Sequence, residues 1–349
     1  MAGRVGYYAH HHGRGHVTRA GLVLPHVRAA ATLFTSSPGA EAPGAETVRL
    51  PLDLPRDDVD RESAAPLHYA PTGHAGLRAR MTRLAAWAAD GPATLCVDVS
   101  VEVAVLGRLL SMPVAVVRQH GTRWDEGHAL AYQLATQLVA PFPASLEEPD
   151  APAWVRDKTV YVGGFSRLDG RVRLEPEPRT VAVLGGGGAR GPGSDAAWTP
   201  RDVARAARAT PGWRWTWIGA ETPIGAPGNL RGLGWTDDPF PTLARAEVVI
   251  AHGGHNAVME AAAADRPLVV VPAPRPFDEQ ARKAAALGRV GAAVVRGRWP
   301  EPSAWAGVLA EAQVLDPDPL RALVAGDGPH RFAAVLDELA ESAVKRETR

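Results

Sequence analysis

The chain has 349 residues, 46% of them apolar, which is enough to fill the cores of about two domains. Its 38 basic and 38 acidic residues cancel, so the composition does not indicate a nucleic-acid-binding protein, and no nucleic-acid partner is expected. Three of the basic residues are lysines, which together with abundant Ala, Pro and Trp indicates a GC-rich bacterial coding bias.

Cysteine usage and hydropathy favour the cytoplasm. Cys96 is the single cysteine, so an internal disulfide is excluded, as is usual in a reducing compartment. The N-terminus enters a strand-like run without a signal-peptide core, and no apolar run reaches about 18 residues. We therefore expect a cytoplasmic protein without a membrane span, and peripheral membrane contact stays open.

The N-terminal part reads as a strand, a glycine-rich turn and a helix. The strand is predicted over residues 5–9, the turn contains Gly13 and Gly15, and the helix is predicted over 17–30. The turn does not match a dinucleotide fingerprint, because Thr18 stands where the third glycine belongs. Three residues before the glycines are interpreted individually as ordinary loop histidines: His10, His11 and His12.

Two more strands are predicted over 33–35 and 47–52, and the proline-rich, charged stretch 51–71 is predicted as a long loop. Apolar residues then recur at helical spacing over 77–88. We interpret this segment as a helix that packs on its own sheet, with a membrane-facing helix as the alternative.

A strand predicted over 93–99 ends at Asp98, and Ser100 can cap the helix that follows. The carboxyl end of a parallel strand faces the ligand crevice, so Asp98 should point towards the first glycine-rich turn. A turn or cap is the plain alternative for Asp98. After a strand over 113–117, Arg118 and His120 follow a strand end in the same way.

The predicted linker over 166–178 divides the chain into an N-terminal domain, 1–165, and a C-terminal domain, 179–349. The second domain opens with a strand over 181–184 and a run of glycines that includes Gly187 and Gly188. Residues 186–191 match the dinucleotide pattern literally, but Pro192-Gly193 delays the required helix. An NAD(P)-binding oxidoreductase, with Glu221 as its ribose acid, is the less favoured alternative.

Further strands are predicted over 213–218 and 230–235, and helices over 280–287 and 319–339. The most specific pattern lies between them, at 248–280. Residues 248–250 read as a buried parallel strand that stops at a turn, and a helix begins just after Gly254.

A helix start presents unpaired N–H groups and the positive end of the helix dipole, which suits a diphosphate. His252, His255 and Asn256 would add donors there. Glu260 lies one turn further on, where a carboxylate would repel a phosphate unless it accepts from sugar hydroxyls, as ribose would allow. A second strand over 267–272 leads to Glu279 and Gln280, which could bind a second polyol.

The pattern His252-x-Gly254-x-Asn256-x-x-x-Glu260, followed by Pro267, Pro272 and Glu279-Gln280, resembles the nucleotide-sugar signature of GT-B glycosyltransferases. The spacing from Glu260 to Gln280 resembles the family-28 branch, which includes the N-acetylglucosaminyltransferase of peptidoglycan synthesis. The resemblance implies an α/β protein with the GT-B fold, in which two doubly wound Rossmann-like domains face each other across a cleft. The last helix would cross back to the first domain.

The resemblance also implies roles for individual residues. His252 and Asn256, with Gly254 and His255, would hold the diphosphate, Glu260 the ribose, and Glu279 with Gln280 the donor sugar. Residues 187 and 188 would approach the phosphates. Trp235 would lie beside the nucleobase, although it could equally be a core residue.

On the acceptor side, the resemblance makes His16, at the end of the first turn, the base that deprotonates the acceptor hydroxyl. Asp98 would stand behind it, because a carboxylate fixes the tautomer of an imidazole and stabilises the imidazolium. The acceptor itself would be a small molecule or a lipid-linked one. Four residues would line its site: Gly13, Gly15, Arg118 and His120.

These roles predict an inverting, metal-independent transfer from a UDP-sugar, with no cofactor. The triplets Asp58-Val59-Asp60 and Asp316-Pro317-Asp318 have the form of metal-binding motifs but lie in predicted loops, so we interpret them as solvated. The open alternatives are a UDP-sugar epimerase of the same fold and a nucleotide-sugar-binding subunit without catalysis.

Overall fold

The computed structural model of the chain describes residues 3–11, 13–54, 64–185, 197–324 and 326–348. In these residues two parallel sheets, each with helices on both faces, follow one another along the chain. The predicted α/β class and the two doubly wound domains are confirmed.

The first sheet consists, in the described part, of β1–β7 at Arg4–Ala9, Ala30–Thr35, Ala45–Arg49, Ala93–Asp98, Val114–Val117, Gln137–Ala140 and Thr159–Tyr161. Its helices are α1–α5 at Gly15–Val23, Ala75–Ala88, Val101–Leu109, Glu126–Leu134 and Ala153–Asp157. The strand order is β3-β2-β1-β4-β5-β6-β7, with all neighbours parallel.

The second sheet consists, again within the described residues, of β8–β13 at Thr180–Leu184, Arg214–Ile218, Leu230–Gly232, Val248–Ala251, Leu268–Val270 and Val294–Val295. Its helices are α6–α10 at Pro200–Ala209, Phe240–Arg245, His255–Ala263, Glu279–Arg289 and Trp305–Gln313, followed by α11 at Asp318–Arg321 and α12 at Gly328–Glu347. The order β10-β9-β8-β11-β12-β13 repeats the pattern of the first sheet.

The central strands are apolar on both faces, which is what a parallel sheet covered by helices requires. All six residues of β4 and all four of β11 are buried. The first sheet ends at Tyr161 and the second begins at Thr180, so the predicted linker lies between the two. In both sheets the strand order reverses direction between the first strand and the fourth, where a doubly wound fold forms its ligand crevice.

Two predicted helices differ from the structure. The helix predicted over 17–30 ends at Val23 and continues only as the 3₁₀ turn Leu24–His26, because Pro25 cannot supply an N–H for a longer α-helix. The helix predicted over 319–339 is wrong as one element. It is divided into α11 and α12, and at the start of α12 Gly328 packs so tightly that a Cβ there would lie 2.7 Å from Phe165.

Helix α12 returns to the first domain, as the GT-B resemblance implied. Its Asp337 accepts hydrogen bonds from the backbone N–H groups of Arg28 and Ala29, at 3.0 and 3.1 Å, and the ring of Phe332 lies 6.2 Å from that of Tyr7. The C-terminal helix therefore ties the two domains together. Among the helices of the described ranges, none has both the length and the hydropathy to cross a bilayer.

Candidate active site

A cavity of about 570 Å³ lies between the carboxyl ends of the two sheets. Its N-terminal wall comes from the first glycine-rich turn and the start of α1, together with residues that follow β4 and β5. Its C-terminal wall comes from the ends of β8, β9 and β11, the start of α8 and the loop before α9. We call this cavity the cleft.

His16 and Asp98 meet at the N-terminal wall. Helix α1 begins at Gly15, which places His16 in its first turn, and Asp98 ends β4 directly beside β1. Nδ1 of His16 lies 2.9 Å from Oδ1 of Asp98. An ionised carboxylate only accepts hydrogen bonds, so Nδ1 carries the hydrogen and Nε2 is the basic nitrogen of the ring.

Asp98 has two further partners that the sequence reasoning missed. Nη1 of Arg19 donates to both carboxylate oxygens, at 2.7 and 2.6 Å, and the Tyr7 hydroxyl donates to Oδ2 at 3.0 Å. Complete burial raises the pKa of Asp98, but Arg19 and then His16 outweigh it and hold that pKa well below its usual range. A signal was available, because Arg19 stands three residues after His16 on the same helix face.

Helix α8 begins at His255, directly after Gly254, as predicted. Gly254 is the N-cap, and no side chain of the described residues caps this helix start. The first N–H groups and the positive end of the dipole are therefore presented at the cleft. Nδ1 of His252 accepts from the Gly254 N–H at 3.0 Å, and burial lowers the pKa of His252 to about 4, so a neutral ring supports the turn.

The two glycine-rich turns approach each other across the cleft. His255 and Asn256 line the cleft at the start of α8. On the opposite wall, a Cβ added at Gly15 would lie 4.0 Å from both amide atoms of Asn256. A ligand held at α8 would thus lie close to the turn that carries His16.

Glu260 lies on the cleft side of α8 and is 7% exposed. Nε of Arg167 donates to its Oε1 at 2.8 Å, a pairing that the sequence reasoning did not foresee. Burial raises the pKa of Glu260, and the Arg167 guanidinium offsets part of that effect. Arg167 also reduces the repulsion that this carboxylate would exert on a bound diphosphate.

The loop between β12 and α9 joins the two walls. Phe277 has φ of +60°, a conformation that a bulky residue rarely adopts. Its carbonyl accepts from the Thr122 N–H at 2.7 Å, and the Arg123 guanidinium lies 5.0 Å from its ring centroid. Nη2 of Arg123 also donates to Oε2 of Glu279 at 3.1 Å. These contacts anchor the loop of the second domain on the first domain.

Comparison with known proteins agrees with this geometry. Residues 228–297, which include α8 and the loop after β12, match the model of the glycosyltransferase family 28 C-terminal domain. A 207-residue stretch is 28% identical to the UDP-N-acetylglucosamine--N-acetylmuramyl-(pentapeptide) pyrophosphoryl-undecaprenol N-acetylglucosamine transferase of Sorangium cellulosum (strain So ce56). That stretch covers 55% of this chain and 49% of the relative, so it spans about half the length of the curated protein it matches.

Two solved structures share the architecture over the whole chain. The glycotransferase of kitacinnamycin has a TM-score of 0.71 at 16% identity and covers 97% of this chain and 100% of its own. MurG of Acinetobacter baumannii has a TM-score of 0.66 at 15% identity, and the match covers 96% of this chain and 99% of MurG. The chain has the GT-B fold, and it is similar to the family-28 glycosyltransferases. The predicted family resemblance and fold are confirmed.

In this family-28-like protein, several predicted residues do line the cleft. Gly13 and Gly15 lie on its N-terminal wall and Trp235 on its C-terminal wall. Trp235 is 56% exposed with the Arg14 guanidinium 5.4 Å from its ring centroid, so it is not a core residue. Gly187 and Gly188, with the whole dinucleotide-like pattern, lie outside the described residues.

The side chain of Gln280 points into the interior of this family-28-like protein. It is 3% exposed, its Oε1 accepts from the Ala273 N–H at 2.9 Å, and its Nε2 lies 3.3 Å from Nδ1 of His252. In this arrangement Gln280 supports the turn before α8. Its role as a ligand of the donor sugar stays a prediction, whereas Glu279 does line the cleft.

The structure does not bring Arg118 or His120 to the cleft. Arg118 is 1% exposed and forms a two-pronged ion pair with Glu147, and His120 is 2% exposed with Nδ1 3.0 Å from Oε1 of Glu148. Successive side chains after a strand point in opposite directions, so the residue between them, Gln119, faces the cleft instead. The prediction of an acceptor-lining role for Arg118 and His120 is therefore corrected.

A second cavity, of about 260 Å³, opens beside the cleft inside the N-terminal domain. We call it the side cavity. It shares five lining residues with the cleft: His10, Val99, Gln119, Arg123 and Phe277. The rest of its wall is largely apolar. Leu54 and Tyr69 on this wall come from the predicted loop over 51–71. Other side chains on it include Tyr8, Leu77, Met81, Val116 and Tyr132. His11 also lines it, while His12 lies outside the described residues, so two of the three histidines interpreted as loop residues face a cavity.

Three side chains of metal-ligand type meet beside the side cavity, and two of them, His68 and His128, line it. Oδ1 of Asp125 lies 2.7 Å from Nε2 of His68, and its Oδ2 lies 2.5 Å from Nδ1 of His128. Nη1 of Arg123 lies 3.1 Å from Nε2 of His128. A guanidinium can only donate, so Nε2 of His128 accepts and Nδ1 keeps its hydrogen for Asp125. In this tautomer the group is a hydrogen-bonded His–Asp–His network in which Nδ1 of His128 is not available as a metal ligand.

Proposed function

We propose that this chain transfers a sugar from a UDP-sugar to an acceptor hydroxyl, with inversion at the anomeric carbon. The observation that carries the proposal is the opposition of two groups across one cleft: the His16–Asp98 pair on one wall and the uncapped start of α8 on the other. The first is suited to accept a proton, and the second to hold a diphosphate.

The chemistry follows from these two groups. Nε2 of His16 takes the proton of the acceptor O–H while that oxygen attacks the anomeric carbon. The bond between that carbon and the phosphate oxygen breaks, and its electron pair leaves with the diphosphate at α8. Attack from the face opposite the leaving group inverts the configuration. Asp98 stabilises the resulting imidazolium, although it shares its charge with Arg19.

UDP is the first choice of nucleotide. Glu260 lies one turn into α8, where its carboxylate could accept from the two hydroxyls of a ribose, and the curated relative from Sorangium cellulosum is named for a UDP-sugar. We propose no cofactor and a transfer that is independent of metal. The described aspartate triplet, at 316–318, starts α11 on an exposed surface, and the triplet at 58–60 lies outside the described residues.

The decisive experiment is transfer with His16→Ala. A panel of nucleotide-sugars in a thermal-shift assay first identifies the donor, and NMR of the product then reports its anomeric configuration. Loss of the base should reduce turnover by roughly 10²–10⁴ while UDP affinity is kept. His26→Ala is the matched control, since His26 lies in the turn after α1 and its ring centroid is 3.9 Å from that of His330. Near-normal turnover of the first variant would remove His16 as the base.

The same preparation separates the alternatives. Conversion of the UDP-sugar in the absence of an acceptor would indicate an epimerase, and binding of NADH in preference to UDP would indicate an oxidoreductase. UDP binding without any transfer would indicate a nucleotide-sugar-binding subunit. Retention of the anomeric configuration, or loss of activity in EDTA, would contradict the inverting and metal-independent parts of the proposal respectively.

A further inference from the structure

Behind the start of α8 lies a buried lysine. Lys283, on α9, is 3% exposed, and its Nζ lies 3.1 Å from Nδ1 of His255. The chain has three lysines among 38 basic residues, so an ammonium at this buried position is unusual for this sequence. An ammonium can gain and lose its proton, whereas a guanidinium is permanently charged.

The hydrogen bond determines the tautomer of His255. A protonated lysine has three donors and no acceptor, so Nδ1 of His255 must accept and the ring hydrogen must lie on Nε2. That Nε2 is buried and has no hydrogen-bond partner among the described residues. His255 itself lines the cleft at the first turn of α8. A buried N–H without a partner, at a helix start, is a donor placed for an anion.

We propose that Lys283 is a positioning residue for the diphosphate: its ammonium holds His255 as the Nε2–H tautomer, and that N–H donates to a phosphate oxygen of the nucleotide-sugar. The inference rests on the proposed function, because it assumes that the diphosphate binds at α8. It assigns to Lys283 a role that none of the sequence motifs indicates.

The charges around Lys283 and His255 should couple the protonation of Lys283 to the binding of the diphosphate. Burial lowers the pKa of Lys283 to about 7; Glu279 and Glu148 act in the opposite direction, and Arg19 lowers the pKa further. On His255, burial, Lys283, Arg19, His120 and His16 all lower the pKa, so the ring stays neutral. A diphosphate on the far side of His255 favours the charged lysine, and binding should therefore take up a proton near pH 7.

Calorimetric titration of UDP into the full chain tests this proposal. Titrations at pH 7 in two buffers of different ionisation enthalpy count the protons exchanged. Wild type should take up roughly half a proton more than Lys283→Met, because a group with a pKa near the working pH is about half protonated before binding. The variant should also bind UDP about 10–100-fold more weakly, as expected for one charge-assisted donor.

Lys158→Met is the matched control. Lys158 is half-buried, and its Nζ donates to the carbonyls of Tyr132 and Gln133 in the last turn of α4, in the first domain. It should keep the wild-type proton count and affinity. The difference between the two variants also cancels the protons that UDP itself exchanges, since both titrations use the same ligand.

A second measurement needs no variant. In protein labelled with ¹⁵N-histidine and kept below pH 7, where Lys283 is protonated, His255 should show the Nε2–H tautomer. An Nδ1–H tautomer in wild type under these conditions would overturn the proposal even if Lys283→Met does not fold. Equal proton counts for wild type and a folded Lys283→Met would overturn it as well. If UDP at millimolar concentration binds neither, the proposed function falls too, so the two failures are distinguishable.

Discussion

Replacement of Asp98 by Asn tests which partner holds this carboxylate in place. Asp98 is completely buried, and it accepts from Arg19 at 2.7 and 2.6 Å, from Tyr7 at 3.0 Å and from His16 at 2.9 Å. The side chain of Arg19 is itself only 3% exposed. Loss of the negative charge would leave a buried guanidinium without its counter-ion, which typically costs about 3–5 kcal/mol.

His16→Ala is the variant with which the stability of Asp98→Asn should be compared. That variant keeps the Asp98–Arg19 pair and removes one hydrogen bond at the edge of the cleft, which should cost only about 0.5–1.5 kcal/mol. Unfolding in urea at pH 7, followed by tryptophan fluorescence, should therefore rank Asp98→Asn well below His16→Ala in stability, although both variants lose turnover. For a domain of this size, the loss of about 3–5 kcal/mol expected for Asp98→Asn corresponds to a melting temperature lower by roughly 6–20 °C.

Acidification supplies a second test of the same reasoning. The pKa of Asp98 is lower in the folded protein than in the unfolded chain. Its ionised carboxylate therefore contributes fully to folding stability above the ordinary carboxyl pKa of about 3.9, and this contribution is lost as the pH falls below that value. The stability difference between wild type and Asp98→Asn should therefore narrow in acid. Asp90→Asn, at an exposed site in the same domain, is the control and should match wild type. Equal stability of Asp98→Asn and His16→Ala would refute the claim that Arg19 is the main partner.

Three further predictions concern the walls of the cleft. Glu260→Ala should weaken UDP binding about 10-fold or more and abolish the preference for UDP over 2′-deoxy-UDP in calorimetric titrations, and an unchanged preference would exclude Glu260 as the ribose ligand. Phe277→Ala should raise the KM for the acceptor identified by screening more than it weakens UDP binding, because the residue lines the side cavity, where we expect the acceptor to bind, as well as the cleft; an effect on UDP affinity alone would contradict this. Arg118→Met should lower stability without changing the acceptor KM, since Arg118 pairs with Glu147 in the interior, and a raised acceptor KM would restore it to the acceptor site.

The sequence alone determined the architecture and one wall of the cleft. Short apolar runs alternating with helical segments specify parallel sheets, because only strands buried on both faces can be apolar throughout. The helix start after Gly254 and the carboxylate of Glu260 one turn later could be predicted because their relation is local. A spacing of four residues on a helix fixes the distance between two side chains without reference to the rest of the chain.

Tertiary structure decided everything that depends on residues far apart in the sequence. Arg167 reaches Glu260 and Lys283 reaches His255 through packing that no local spacing encodes. Arg19 reaches Asp98 because β4 pairs with β1, the strand that leads into the helix carrying His16. The direction of a side chain after a strand end was equally undetermined, which is why Arg118 was assigned to the cleft. Of two consecutive residues after a strand, one side chain points to the cleft and the next to the interior. Only the packed sheet determines which of the two residues faces the cleft.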